Sequence, residues 1–378
     1  MSGGPRRERT VRTSVLVLNW NGRQHLDACL ESVGALDVFA PGAPGLPRDP
    51  GLVDEVVLVD NGSTDGSAAR ARRRFPWVRV LENGTNLGFA LGYDAAVPLV
   101  DGEWVALLNS DTRVLPGWLS ALHAAAARHP GCGAVASRVL SWDGTRVDFV
   151  GADTFFTGHA WQRGLGAPAG EEEPPERELL FGCAAALLVR REAFARHGGF
   201  DPDYFAFFED VDLGWRMSLA GEATWLAPGA VVRHKLHGTF GSRPRARVRF
   251  LCERNALATA FKTFAEERAG VLLLAAAALT FLRGWASSAS SRPEARAWLT
   301  TDALDDCAQV FRVDGQGRHR PQLLRRVPLQ PARDRAGLEH QPCADNRTGD
   351  AAPDRRPAAD LDRLGRSADR RCRRCGVT

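Results

Sequence analysis

The sequence contains no isoleucine and, in 378 residues, only two tyrosines, two methionines and two lysines, Lys235 and Lys262. That bias points to a GC-rich coding sequence and excludes nothing about activity. The lack of long apolar runs is more informative: none reaches the ~20 residues that a bilayer span requires. Nor does an apolar leader open the chain, since residues 1–12 are short, polar and basic. A reduced, cytoplasmic protein is therefore expected, with Cys29, Cys132, Cys183 and Cys252 as buried small residues rather than a disulfide framework. Positive charge is also missing from the body of the chain. Residues 318–378 hold 15 Arg, no Lys and 8 acidic residues, which leaves 34 basic and 37 acidic residues in 1–317. A body with net charge −3 gives nucleic-acid binding no electrostatic support. Three signatures are absent as well: a G-x-G-x-x-G after the first two strands, a phosphate loop G-x-x-x-x-G-K-[ST], and a G-x-S-x-G elbow.

What is present is an ordinary globular composition, 44% apolar and 25% charged, on a chain long enough for a sizeable α/β core. Residues 104–108 are five apolar residues in a row, which predicts a strand buried on both faces. The run stops at Asn109-Ser110-Asp111, leaving a carboxylate at the strand's carboxyl end, where open α/β sheets bind ligands. The same grammar recurs upstream. A strand at 13–18 ends in Asn19-Trp20-Asn21 and is followed by a helix at 23–36. A strand at 56–59 ends at Asp60 before a helix at 66–75, and a third strand at 77–81 precedes a helix from Asn86 to Leu99. After residue 111 a helix at 117–129 and a strand at 133–137 are expected. Alternation of this kind predicts a Rossmann-like, mostly parallel sheet flanked by helices.

Parallel strands bring Asn19, Trp20, Asn21, Asp60, Asn86 and Asp111 into one crevice. There Asp60 suits a base or ribose, Trp20 a stacked base, and Asp111 a divalent cation. Singly, each has a structural reading, because Asp and Asn make turns and cap helices. Beyond residue 137 the pattern becomes irregular to 178, followed by a strand at 179–190, a helix at 209–220 and short strands at 224–226 and 230–233. Two helices follow, at 246–264 and 269–282. The second is apolar over about 14 residues and has Lys262, Arg268 and Arg283 around it, which fits either ordinary helix packing, the favoured reading, or contact with an anionic membrane surface. From Arg318 the low apolar content predicts a disordered Arg-rich tail. His340-x-x-Cys343 and Cys372-x-x-Cys375 have permissible zinc spacing within it, but no scaffold.

Residues 57–65 (VLVDNGSTD), 86–90 (NLGFA) and 108–111 (LNSD) resemble family 2 glycosyltransferases of the GT-A fold. Gly199-Phe200-Asp201, followed by the run from Phe208 to Arg216 (FEDVDLGWR), is similar to the rhamnosyltransferase-like branch. The resemblance spans about 13–241 and implies a GT-A domain over 1–243, with a nucleotide-sugar half at 13–137 and an acceptor half at 138–243. A helical extension at 244–317 and the tail follow. It implies an inverting enzyme that moves a hexose such as rhamnose from a nucleotide-diphosphate sugar donor to a glycan or lipid-linked acceptor, with Mg²⁺ or Mn²⁺. By motif match Asp60 binds the base, Asp111 ends the metal triplet, His234 is a further metal ligand and Asp210 is the general base. Asn19, Trp20, Asn21, Asn86, Gly88 and Asn109 complete the donor site. The triplet often opens with Asp; here Asn109 keeps an oxygen but removes a charge, so metal binding leans on Asp111, His234 and the donor's phosphates. A sugar-phosphate nucleotidyltransferase and a non-catalytic nucleotide-sugar-binding protein are the competing readings.

Overall fold

The computed structural model describes residues 13–36, 53–155, 157–170, 173–235, 245–263 and 266–288. The segment 1–12, the loop at 40–51 and the tail from Arg318 with its His/Cys pattern lie outside the described residues.

The chain begins with β1 (Thr13–Asn19), buried at every position, and α1 (Arg23–Gly34), which lays Leu26, Cys29, Leu30 and Val33 on the sheet. Next come β2 (Val53–Asp60), α2 (Ser67–Arg74), β3 (Val78–Glu82) and α3 (Gly88–Asp94). The helix expected to run to Leu99 stops at Asp94, and a single 3₁₀ turn follows at Val97–Leu99. Pro98 explains the break, since its ring clashes with the carbonyl of Asp94 and it has no N–H to donate. Then β4 (Trp104–Asn109) leads through a short β5 (Thr112–Val114) into α4 (Trp118–Arg128) and β6 (Ala134–Ser141). The stretch to 178, expected to be irregular, contains four three-residue strands: β7 (Val147–Phe149), β8 (Ala152–Thr154), β9 (Ala160–Gln162) and β10 (Arg177–Leu179). Strands so short carry no readable period.

The strand expected at 179–190 is only β11 (Ala186–Arg190), which passes directly into α5 (Arg191–Arg196). After α6 (Glu209–Leu219), the two expected short strands are one, β12 (Thr224–His234), whose register slips between Ala227 and Val231. The main sheet runs β10-β12-β6-β11-β4-β1-β2-β3, and β8 pairs with β9 in a separate ribbon. Its pairs from β4 through β1 and β2 to β3 are parallel, as is β6 with β12, while β11 lies antiparallel between β4 and β6. The result is a mixed, mostly parallel sheet flanked by helices, as expected. β6 crosses residue 137, so the sheet runs continuously through both expected halves.

The slip in β12 has a consequence for the site. Past it, β12 also pairs antiparallel with β5, setting His234 opposite Thr112, and the Lys235 N–H donates to the Asp111 carbonyl at 3.1 Å. Finally, α7 (Arg245–Thr263) and α8 (Glu266–Ser288) follow. Lys262, read as a cationic flank of a membrane-facing helix, instead turns inward. Its ammonium group is 2.7 Å from Asp201, also pairs with Asp212, and lies over the Tyr204 ring. Asp212 is fully buried and bound twice more by Arg216 (2.9 and 2.6 Å), so an isolated buried charge is avoided on either side. No helix among the described residues is long and apolar enough to cross a membrane.

Candidate active site

The carboxyl ends of β1, β2 and β4 carry the expected polar residues, but these divide into two groups. Asn19 and Asp60 are buried and bound to each other: the Asn19 amide donates to Asp60 at 3.3 Å and to Ser67 Oγ at 2.9 Å. The second Asp60 oxygen accepts from the Ser63 backbone N–H at 3.0 Å, an Asx turn. Asn21, at φ 51°, accepts from the Thr64 N–H at 2.8 Å and ties the β1 loop to the β2 loop. These three shape the donor half without lining the cleft. Asn61, which the sequence reading left unassigned, is the hub of the next turn. Its amide donates to Asn86 Oδ1 (3.2 Å) and the Gly88 carbonyl (2.7 Å), while its oxygen accepts from Asn83 and the Leu87 N–H.

The second group lines a cleft of about 550 Å³, a volume that suits a small organic ligand. Trp20, Asn86, Gly88, Asn109, Asp111, His234 and Asp210 all face it. On one side, His234 Nε2 is 3.4 Å from Asp111 and its Nδ1 is 2.7 Å from Asp148. Burial alone would lower the imidazole pKa, but the two carboxylates outweigh it and push it up to about 10. Burial likewise raises Asp111, and His234 outweighs that, holding the carboxyl below its usual range. The Asn109 side-chain oxygen is buried without a partner among the described residues. A carboxylate, an imidazole backed by a second carboxylate, and an orphaned amide oxygen form a donor set that fits a divalent cation once the imidazole releases the proton its two carboxylate neighbours favour. Among the described residues no group of three His, Cys, Asp or Glu side chains is preclustered for a metal.

Across the cleft lies the start of α6. Asp210 accepts from the Ala184 N–H at 3.1 Å and from the Val211 N–H at 2.9 Å, yet burial still raises its pKa. Its neighbour Glu209 is also buried and lines the cleft, and its Oε2 has no partner among the described residues. Burial first, and then the Asp210 charge, push Glu209 well above the usual carboxylate range. Burial thus raises both carboxyls, and the two N–H donors on Asp210 favour its ionised form over that of Glu209.

Before α6 the chain makes an aromatic loop in which Phe205, Phe207 and Phe208 all take positive φ (61°, 70° and 68°). Such conformations are strained for residues with bulky side chains and persist only when surrounding contacts impose them. Here the Phe205 carbonyl accepts from the Phe89 and Ala90 N–H groups at the start of α3 (2.5 and 3.3 Å). A Cβ on Gly88 would lie 2.5 Å from that carbonyl, which is why the NLGFA motif needs glycine there. From the other side Asn255 of α7 donates to the carbonyls of Tyr204, Ala206 and Phe207 (3.0, 3.0 and 2.6 Å). The sequence reading missed Asn255 and assigned α7 no part in the site, although Val248 and Cys252 of that helix also line the cleft.

A crevice at the carboxyl ends of parallel strands, with a cation-fitting group on one wall and a buried carboxyl pair on the other, is an arrangement suited to group transfer by an α/β enzyme. The model of "Glycosyl transferase family 2" matches residues 14–198. An N-acetylglucosaminyl-diphospho-decaprenol L-rhamnosyltransferase of Mycobacterium tuberculosis (strain H37Rv) is 38% identical over 208 residues, covering 49% of this chain and 67% of that protein. The Rhamnosyltransferase WbbL of Escherichia coli K12 is 43% identical over 56 residues, 15% of this chain and 21% of that protein. Among solved structures, S. aureus TarS 1-349 in complex with UDP-GlcNAc shares the fold, with a TM-score of 0.51 at 18% identity, covering 79% of this chain and 81% of that chain. The chain belongs to glycosyltransferase family 2 and to its rhamnosyltransferase-like branch, and it is a glycosyltransferase of the GT-A fold. This sets aside the nucleotidyltransferase reading.

Proposed function

We propose that the protein moves a rhamnose-like hexose, with inversion, from a nucleotide-diphosphate sugar to a lipid-linked glycan acceptor in cell-envelope polysaccharide synthesis. The observation that carries this reading is the opposition of Asp111 and His234 to Asp210 across one cleft. The acceptor follows the name of the M. tuberculosis relative, whose substrate is a sugar carried on decaprenyl diphosphate. Asp111 and His234, with Asn109, would hold Mg²⁺ or Mn²⁺, which when bound offsets charge on the departing diphosphate. Trp20 and the walls around Asn86 and Asn109 orient the donor. Asp210 takes the proton of the acceptor hydroxyl as its oxygen bonds to the anomeric carbon. The bond from that carbon to the diphosphate breaks on the opposite face, and the nucleoside diphosphate leaves with the electron pair. Asp210, whose carboxylate is steadied by two N–H donors, is the single base in this reading.

The exposed face of α8, with Val271, Leu274, Phe281 and Leu282, is the element we assign to peripheral contact with the inner face of the cell membrane. The test is transfer from a panel of nucleotide sugars to N-acetylglucosaminyl-diphosphate-polyprenol, with Mn²⁺ and with chelator. Metal-dependent product with a deoxyhexose donor supports the reading; donor binding without transfer to any acceptor would instead indicate a non-catalytic binding protein.

A further inference from the structure

The mouth of the cleft carries exposed apolar side chains. Trp161 and Leu165, which line it, are 71% and 49% exposed, and Phe155 on the same ribbon is 50% exposed. This rim is built into the fold rather than hanging from it. The turn between β8 and β9 lies against α7, where a Cβ on Gly158 would collide with the Ala256 carbonyl. His159 pairs with Glu253 of α7 at 3.1 Å and sets its edge on Phe208, two residues from Asp210. Facing the cleft from α7 is Val248, flanked by the exposed cations Arg247 and Arg249. Asp111, His234 and Asn109, which would hold the donor's diphosphate through a cation, lie on the opposite wall, whereas this side of the mouth pairs apolar surface with positive charge.

We infer that the rim formed by Trp161, Leu165 and Val248 is the seat of the acceptor's polyprenyl chain, with Arg247 and Arg249 beside the acceptor's own diphosphate. The occupant is fixed by continuity: a sugar whose hydroxyl reaches Asp210 must pass its carrier out through this mouth, and a hydrocarbon carrier gains by covering exposed apolar area. Guanidinium groups suit the diphosphate that joins sugar to lipid. The inference rests on the lipid-linked acceptor proposed above.

The experiment compares N-acetylglucosaminyl diphosphate on a short isoprenyl chain and on a long polyprenol, in detergent micelles, for wild type, Trp161→Ala and Leu165→Gln. The wild type should show a KM on the order of tenfold lower for the long chain, a ratio equivalent to about 1.4 kcal/mol. Both variants should collapse that ratio toward one, while Leu99→Ala, an exposed leucine outside the cleft, keeps it. Binding to acceptor-free phosphatidylglycerol vesicles is measured alongside. Variants that keep the wild-type ratio would overturn the inference. So would an equal loss of vesicle binding, which would make the rim a general membrane contact. Wild-type enzyme that uses neither acceptor but transfers to another glycan would overturn the lipid-linked acceptor itself, and the seat with it.

Discussion

The side-chain amide of Asn255 donates to the carbonyl of Phe207 at 2.6 Å, and so a helix beyond the family-matched region holds the loop that delivers Asp210. Asn255→Ala takes a donor from the Ala206 and Phe207 carbonyls, while that of Tyr204 keeps Arg254, and should destabilise the fold by about 2 kcal/mol. It should also lower kcat more than it raises the donor KM, because the donor wall stays in place. Thermal unfolding and steady-state kinetics on the same preparation check both effects; a fall in stability with unchanged kcat would reduce Asn255 to a packing role.

Asp210→Asn keeps the shape and removes the proton acceptor. Turnover should fall by a factor on the order of 10² to 10⁴ with donor affinity nearly intact. In the wild type, kcat/KM should fall with decreasing pH as Asp210 takes up its proton, and because burial raises its pKa the fall begins above the usual aspartate range. A pH–rate profile with no acidic limb would remove Asp210 from the role.

Glu209 gives a prediction about stability. Its folded pKa is raised by burial and by Asp210, so ionisation is penalised in the fold. The folded state then holds the proton where the unfolded chain has lost it, and stability declines as pH rises from about 4 toward the raised value. Glu209→Gln cannot ionise, so its melting temperature relative to wild type should climb over that interval. A difference that stays flat with pH would show that Glu209 is charged in the fold.

Asp148→Asn tests the cation site through the residue behind it. Nδ1 of His234 loses its carboxylate partner while Asp111 and the imidazole remain. Affinity for Mn²⁺ in the presence of a nucleoside diphosphate should drop roughly 10- to 100-fold by titration calorimetry. Unchanged affinity would mean that His234 is not a ligand.

Gly88→Ala places a methyl group on a residue at φ +85°, against the Phe205 carbonyl. It should destabilise by more than ~1 kcal/mol and depress turnover through the aromatic loop. Gly84→Ala is the control: its φ is +75° but nothing lies within 4 Å of its Cβ, so it should be stability-limited and catalytically mild. Equal turnover losses in the two variants would deny the contact any catalytic consequence.

The strand ends were legible because a buried strand writes an unbroken apolar run and a polar stop, as Trp104 to Asp111 does. The crevice followed from that alone. What the run did not reveal is that the Asn19 amide is taken up by Asp60 and Ser67, since a hydrogen bond across 41 positions leaves no local trace. Asn255 was illegible for the same reason, being one polar residue in a helix whose partners lie about fifty positions upstream. Lys262 was misread because an amphipathic position looks the same whether its charge meets water or a buried Asp212. The bulge in β12 hid a continuous strand, and with it the pairing that puts His234 against Asp111.

The Asn255 clamp also has a bearing on the order of synthesis. Domains emerge from the ribosome amino end first, and every strand of the sheet is already translated when β12 ends at His234. A nascent chain of that length can assemble the donor side while the aromatic loop still lacks Asn255 to hold it. Catalytic competence would then arrive late, with α7, rather than growing with the sheet.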